Sequence, residues 1–224
     1  MIVIFFGKTG VGKGTYASRV SRELRIPIIS TGDLLRKEII EETPLGKQIQ
    51  STVSKGAPVG DLIVSELLEK KLSLKDNMNG FILDGFPFNV HQAQLLEKML
   101  SRHRKKIDLI VYFTTSERTL LDRVLGRLQC IKCGKIYHMK TLPPLIPGVC
   151  NQDMMPLYQR EDDVEEVVRR RWDQFDENHT AIKKFYAGKV RMVEVHAEGS
   201  IESIVQRTIE SILLSAGKTA STRM

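Results

Sequence analysis

The residues best equipped for chemistry open the chain. Gly7-Lys8-Thr9-Gly10-Val11-Gly12-Lys13-Gly14-Thr15 directly follows a β-branched and aromatic run, Ile2 to Phe6, and leads into a segment, Tyr16 to Leu24, with helical spacing. Glycines let a backbone curl so that successive N–H groups face one anion. The helix start adds partial positive charge, and Lys13 supplies a mobile cation for the outer phosphates. The usual pattern has Ser or Thr immediately after the lysine, whereas here Gly14 comes before Thr15, whose hydroxyl still falls where it could reach a Mg²⁺. Asp84, closing the run Phe81-Ile82-Leu83, is a second candidate, because a strand-end carboxylate near a phosphate loop can hold Mg²⁺ directly or through water.

The third candidate is the cysteine set. Cys130 and Cys133 are separated by two residues; sixteen residues later Cys150 is followed at the same spacing by Asp153. Two such pairs have zinc-ribbon spacing, and Zn²⁺ accepts thiolate sulfur and carboxylate oxygen in a tetrahedral structural site. His138 is a rival fourth ligand at poorer spacing, and three free thiols or a Cys130–Cys133 redox pair are the metal-free alternatives. Four protein ligands leave no open position, so such a metal would be structural.

The elements needed to position these residues are legible as alternation. Apolar runs recur at Ile26–Ile29, Gly80–Leu83, Leu109–Phe113 and Val190–Val195, with helix-like segments between them. With the first run they predict an α/β fold: a doubly wound, parallel, five-stranded sheet of the P-loop type, with ligands beyond the strands' carboxyl ends. Two stretches break the alternation. One, from 30 to about 60, is helical with its own turn signals at Thr43-Pro44 and Lys55-Gly56-Ala57-Pro58; the other, from 128 to 163, holds all three cysteines and four of the eight prolines. A helix is expected from Val164 to about Phe185, and a frayed tail over Ala216–Met224.

The 224 residues suit one ordinary domain, and the excess of 34 Lys and Arg over 27 Asp and Glu points to polyanionic partners without naming them. No apolar stretch approaches the roughly 18 residues that span a membrane, and three cysteines within one short stretch favour a reducing compartment. A cytoplasmic enzyme or binding protein is expected.

Further phrases carry a family resemblance: Ser30-Thr31-Gly32-Asp33-Leu34-Leu35-Arg36, Asp84-Gly85-Phe86-Pro87, His91-Gln92-Ala93, Asp122-Arg123-Val124-Leu125-Gly126-Arg127, and Arg160-Glu161-Asp162-Asp163 followed by Arg171. With a phosphate loop ending Gly-Lys-Gly-Thr, the chain closely resembles adenylate kinase in its long form with a zinc-binding lid. The likeness runs to about residue 210. It implies reversible phosphoryl transfer from Mg-ATP to AMP, giving two ADP, by a monomer with no nucleic-acid or membrane partner. It also implies a core of 1–29, 60–127 and 164–224, an NMP-binding insertion at 30–59 and a lid at 128–163. By the same resemblance the catalytic set would be Lys13, Arg123, Arg127, Arg160 and Arg171, with Asp162 and Asp163 orienting the arginines. ATP would meet Gly10, Val11, Gly12, Lys13, Gly14, Thr15, Arg127, Ile136, Tyr137 and Gly199. AMP would meet Thr31, Arg36, Ala57, Pro58, Val59, Gly85, Phe86, Pro87, Phe88, Gln92, Arg160 and Arg171, with Gln92 reading the adenine edge.

Two other readings compete. A basic zinc-ribbon protein binding nucleic acid would use the cluster Arg102-His-Arg-Lys-Lys106, but that cluster lacks interleaved aromatics and resembles a solvated helix end. Within enzymes the alternative is a kinase for another nucleoside monophosphate.

Two positions depart from the family: Thr9 stands where many relatives carry proline, a minor change in loop stiffness, and the second bears on the chemistry. After Asp84-Gly-Phe-Pro87 the family has an arginine that grips the acceptor's phosphate, and this chain has Phe88. A phenyl ring makes no charge-assisted contact, which is worth roughly 1.5–3 kcal/mol, or about 10–100-fold in affinity or rate. Phe88→Arg is therefore expected to raise kcat/KM for AMP by about that factor in steady-state kinetics; an unchanged value would sink the idea.

Overall fold

The computed structural model describes residues 1–73 and 80–217, so most of the tail expected to fray, from 218 on, lies outside the described residues. In chain order the elements are β1 (Ile2–Phe6), α1 (Lys13–Leu24), β2 (Ile28–Ser30), α2 (Thr31–Ile40), α3 (Pro44–Ser54), α4 (Asp61–Leu72), β3 (Phe81–Asp84), α5 (Val90–Arg102), β4 (Leu109–Thr114) and α6 (Glu117–Leu125). There follow β5 (Arg127–Cys130), β6 (Ile136–His138), β7 (Leu157–Tyr158), α7 (Glu165–Tyr186), β8 (Met192–His196) and α8 (Ile201–Ser215).

Every residue of β1 is buried, as a strand covered on both faces requires. It is the central strand of the expected five-stranded parallel sheet, in the order β2-β3-β1-β4-β8, with Ile4 in register with Leu83 on one side and Ile110 on the other. Alternation divides its side chains between two cores. Ile2, Ile4 and Phe6 pack with Leu68 of α4, Leu96 of α5 and Tyr186 of α7, while Val3 and Phe5 pack with Val20 of α1, Val124 of α6 and Ile204 of α8. The helix starts are set by side-chain oxygens: Ser30 caps α2, Thr43 caps α3 just before Pro44, Asn89 caps α5, Ser116 caps α6 and Ser200 caps α8.

Several boundaries move from the sequence expectation, among them the start of β8, at Met192 rather than Val190, and two of the moves have a visible cause. The second strand starts at Ile28 rather than Ile26, because Arg25 turns left-handed at the end of α1 and the Ile26 N–H returns to Ser21 O at 3.2 Å. Helix α1 starts at Lys13 rather than Tyr16, since Gly12 O already accepts from Tyr16 N at 3.0 Å.

Outside the core sheet, α2 and α3 form a helical pair after β2. The cysteine stretch instead folds as a three-stranded antiparallel sheet, β6-β5-β7, around Cys130, Tyr137 and Cys150. Three buried residues are a meagre core for a segment of this size, so it needs support from something besides apolar packing.

Candidate active site

The phosphate loop is the short connection between β1 and α1. Gly7, Gly10 and Gly12 have φ of 150°, 93° and 104°, values that L side chains rarely adopt. Lys13 then folds back over the loop, donating to Gly7 O at 2.7 Å and Lys8 O at 3.2 Å. Burial pushes its ammonium below the ordinary lysine pKa, the Asp84 carboxylate opposing this and the Arg127 cation adding to it. Asp84, its neighbour at the carboxyl end of β3, is held above the usual carboxylate range by the same burial, against the pull of Lys13. A Cβ added at Gly14 would lie 3.2 Å from Ile136 Cδ1, so the small antiparallel sheet comes close to the loop at this point. Val11 is a core residue, so only its backbone is available to a ligand.

Neighbouring helices fasten the loop. Arg123 donates to Val11 O at 2.9 Å, to the Tyr16 hydroxyl at 3.2 Å and to Ala197 O at 2.9 Å, so its guanidinium joins the loop to the segment leading to Gly199. From α7, Trp172 Nε1 donates to Thr9 O at 2.9 Å and Asp176 accepts from Lys8 Nζ at 2.7 Å.

Four more arginines line the cleft beyond Lys13, each oriented by an acceptor. Arg127 meets the buried Asp163 with Nε at 2.8 Å and also through Nη2. Arg171 Nη1 lies 2.5 Å from the buried Asp162, and Arg36 donates to Asp33 at 2.6 Å. Arg160 Nε donates to Gln129 Oε1 at 2.6 Å, and its Nη2 lies 3.7 Å from Asp33. Burial first, then the like charges of Arg36 and Arg127, push the Arg160 guanidinium down to about 9, against the opposing pull of Asp33 and Asp163.

These groups face one cleft of about 830 Å³ that Lys13, Thr15, Asp84, Ile136, Tyr137 and Gly199 share with Thr31, Ala57, Pro58, Val59, Gly85, Phe86, Pro87, Phe88 and Gln92. Gly85 has φ of 83°, and a Cβ there would lie 2.8 Å from Thr31 Oγ1. Gln92 is buried at the start of α5, with Oε1 accepting from Phe88 N at 2.7 Å. Asp162 and Asp163 stand behind the lining and reach the cleft through their arginines.

In the small sheet, the ligand atoms of Cys130, Cys133, Cys150 and Asp153 all lie within 4.8 Å of one another. Cys133 Sγ and Cys150 Sγ are 3.7 Å apart, and Cys130 Sγ lies 3.2 Å from Asp153 Oδ1. Metal–sulfur bonds of about 2.3 Å in a tetrahedron put sulfurs about 3.8 Å apart, so the set fits a four-coordinate metal. His138 is turned elsewhere, Nε2 lying 3.1 Å from Asp122 O and Nδ1 accepting from Lys140 N and Thr141 N at 3.1 Å each. The cysteines form no disulfide.

Sequence reasoning passed over Asp33, Gln129 and Asp61. Asp33 had a usable signal, since a carboxylate three residues before Arg36 faces it on a helix. Gln129 and Asp61 had none, because their partners lie about thirty residues away in the chain.

A parallel sheet that delivers a phosphate loop, a strand-end aspartate and a ring of aspartate-held arginines to one cleft defines a P-loop nucleoside monophosphate kinase. Residues 5–191 match the family profile for adenylate kinase. The adenylate kinase of Thermosipho africanus is 38% identical over 212 residues, covering 95% of this chain and 99% of the relative. That of Geobacter sulfurreducens is also 38% identical over 212 residues, with 95% and 98% covered, and that of Geotalea daltonii 39% over 209, with 93% and 98%. The chain belongs to the adenylate kinase family.

The Arg127–Asp163 pair offers a direct test of how the arginines are held. Asp163→Asn leaves a buried guanidinium without its counter-charge and is expected to cost about 3–5 kcal/mol in urea unfolding. A loss under about 1 kcal/mol would show that the pair does not organise this wall.

Proposed function

We propose that the chain transfers the terminal phosphoryl group of Mg-ATP to AMP, giving two ADP. The observation that carries this reading is one cleft lined together by Lys13 and its loop, by Gln92 and Val59, and by Asp84, Arg36, Arg127, Arg160 and Arg171. An oxygen of the acceptor phosphate attacks the γ-phosphorus. The bond to the bridging oxygen breaks, and its electron pair leaves with ADP. Charge spreads over the moving group, so catalysis here is fixed cations aimed at that charge and exclusion of water.

On this reading Lys13 and the Gly10–Thr15 backbone hold the donor's outer phosphates, with Ile136, Tyr137 and Gly199 around its nucleoside. Thr31, Arg36, Ala57, Pro58, Val59, Gly85, Phe86, Pro87 and Gln92 hold AMP. Arg127, Arg160 and Arg171 bridge the two, and Asp162 and Asp163 keep the arginines aimed. Arg123 acts mainly by fastening the loop, which its three carbonyl and hydroxyl partners support. Asp84 would hold Mg²⁺ through water, the metal neutralising phosphate charge. Cys130, Cys133, Cys150 and Asp153 would hold a structural Zn²⁺, which supplies the stability that the three-residue core of the small sheet lacks.

Residues 128–163 then form an extended lid and 30–59 an AMP-binding insertion. Both move to close over the nucleotides. Among the described residues no helix is long and apolar enough to cross a membrane. A cytoplasmic monomer acting on ATP, ADP and AMP, without nucleic acid, completes the reading. With Phe88 beside the acceptor, Arg36, Arg160 and Arg171 are the cations left to grip its phosphate, and the acceptor side is the weaker half.

Two measurements check this. In a coupled assay with AMP, CMP, UMP and GMP at equal concentration, AMP is expected to give the highest kcat/KM; a preference for another acceptor would reassign the substrate. Metal analysis of purified protein is expected to find about one zinc per chain, with a lower melting temperature after chelation. A folded, metal-free lid would refute the zinc site.

A further inference from the structure

Behind the cleft wall lies a polar network that the transfer reaction does not use. Asp61, the first residue of α4, accepts from Gln92 Nε2 at 2.7 Å through Oδ1, and Asn89 Nδ2 donates to both its oxygens at 3.0 and 3.2 Å. His91 Nδ1 stands 2.8 Å from Oδ2. Burial pushes the Asp61 carboxyl upward, but hydrogen bonds from His91, Gln92 and Asn89 outweigh it and hold the group below the usual range, so it is ionised at neutral pH.

The two ends of a glutamine amide have nearly the same shape and opposite chemistry, so its neighbours decide which way it faces. Here both ends are keyed. The Phe88 N–H at 2.7 Å can only donate and must meet Oε1; the ionised Asp61 can only accept and must meet Nε2. With those two bonds made, Gln92 keeps one oxygen lone pair and one N–H for a ligand. Adenine offers an N6–H donor beside the N1 acceptor and matches that pair. Hypoxanthine, identical in shape, offers the O6 acceptor beside an N1–H donor, so in the same pose acceptor would face acceptor and donor would face donor.

We propose that Asp61 is a positioning residue that locks the Gln92 amide in the orientation matching adenine and thereby sets the enzyme's choice of acceptor base. This rests on the reading that Gln92 faces the acceptor base. Asp61 itself stands outside the cleft lining and acts only through Gln92.

The test is kcat/KM for AMP and for inosine monophosphate as acceptors, with ATP saturating, in the wild type, Asp61→Ala, Asp61→Asn and Gln92→Ala. The AMP-over-inosinate preference is expected to fall about 10-fold or more in Asp61→Ala, since the lost bond is one to a charged group. It should fall less in Asp61→Asn, which keeps the volume and the fold and can present Gln92 with either an oxygen or an NH₂. A merely structural Asp61 would lower both acceptors together and leave their ratio intact, which overturns the proposal. Gln92→Ala separates the two levels of inference. If its ratio falls while both Asp61 variants keep the wild-type ratio, Asp61 alone is misassigned; if its ratio is also unchanged, Gln92 does not read the base and both fall.

Discussion

The rest of the molecule is arranged around the curled backbone between β1 and α1. Three residues there take φ values open to glycine and costly for other residues, which lets the chain reverse from a buried strand into a helix with its amides facing inward. Such a loop has few internal contacts of its own to hold it. Besides Lys13 folding back onto the Gly7 and Lys8 carbonyls, its stiffness comes from outside: Arg123 of α6 on the Val11 carbonyl, Trp172 of α7 on the Thr9 carbonyl, and Asp176 on Lys8. Arg123 reaches the loop because the sheet order puts β4 beside β1 and α6 leaves from the carboxyl end of β4, while Trp172 and Asp176 arrive on α7, which packs against α6. The Trp172 bond goes to a backbone carbonyl, so it is indifferent to the side chain at position 9.

Electrostatics follows from the same enclosure. Lys13 and Asp84 are desolvated side by side, and their pKa values move toward each other, the amine down and the acid up. Each is then less securely charged on its own; on the proposed reading, phosphate charge would favour the ammonium and a divalent cation the carboxylate. The arginines solve the problem differently. Each guanidinium gives part of its donor fork to an aspartate or glutamine acceptor beside it. This fixes direction in advance, so ligand binding need not order four long side chains at once.

What was legible in the sequence was what is local. The phosphate loop, the Asp84 strand end and the Cys130–Cys133 and Cys150–Asp153 pairs are signals within a few residues, and the apolar runs marked five strands because buried parallel strands need no alternation. Boundaries slipped where backbone hydrogen bonding decides, as at Ile26, which completes the end of α1 before β2 can begin. Spacing alone also left His138 and Asp153 in competition; the fold decides, because both ring nitrogens of His138 already have backbone partners. The illegible part is what folding brings together from afar. Lys8 and Asp176 are 168 residues apart, Arg160 and Gln129 31 apart, and Asp61 and Gln92 also 31 apart.

Phe88 shows why a side-chain departure from a family pattern need not disturb the whole of a site. Its backbone N–H holds Gln92 Oε1, a duty that any residue except proline performs, so the Gln92 amide is insulated from the identity of side chain 88. What changes is the origin of the positive charge. An arginine at 88 would stand beside β3, fixed to the core sheet, whereas Arg36, Arg160 and Arg171 arrive on α2, on the segment after β7 and on α7. On the proposed reading, two of those three carriers belong to the parts that close. The acceptor's phosphate is then gripped fully only in the closed state. On that reading Phe88 would tie acceptor binding more tightly to closure than a core-borne arginine would, leaving less affinity to the open form.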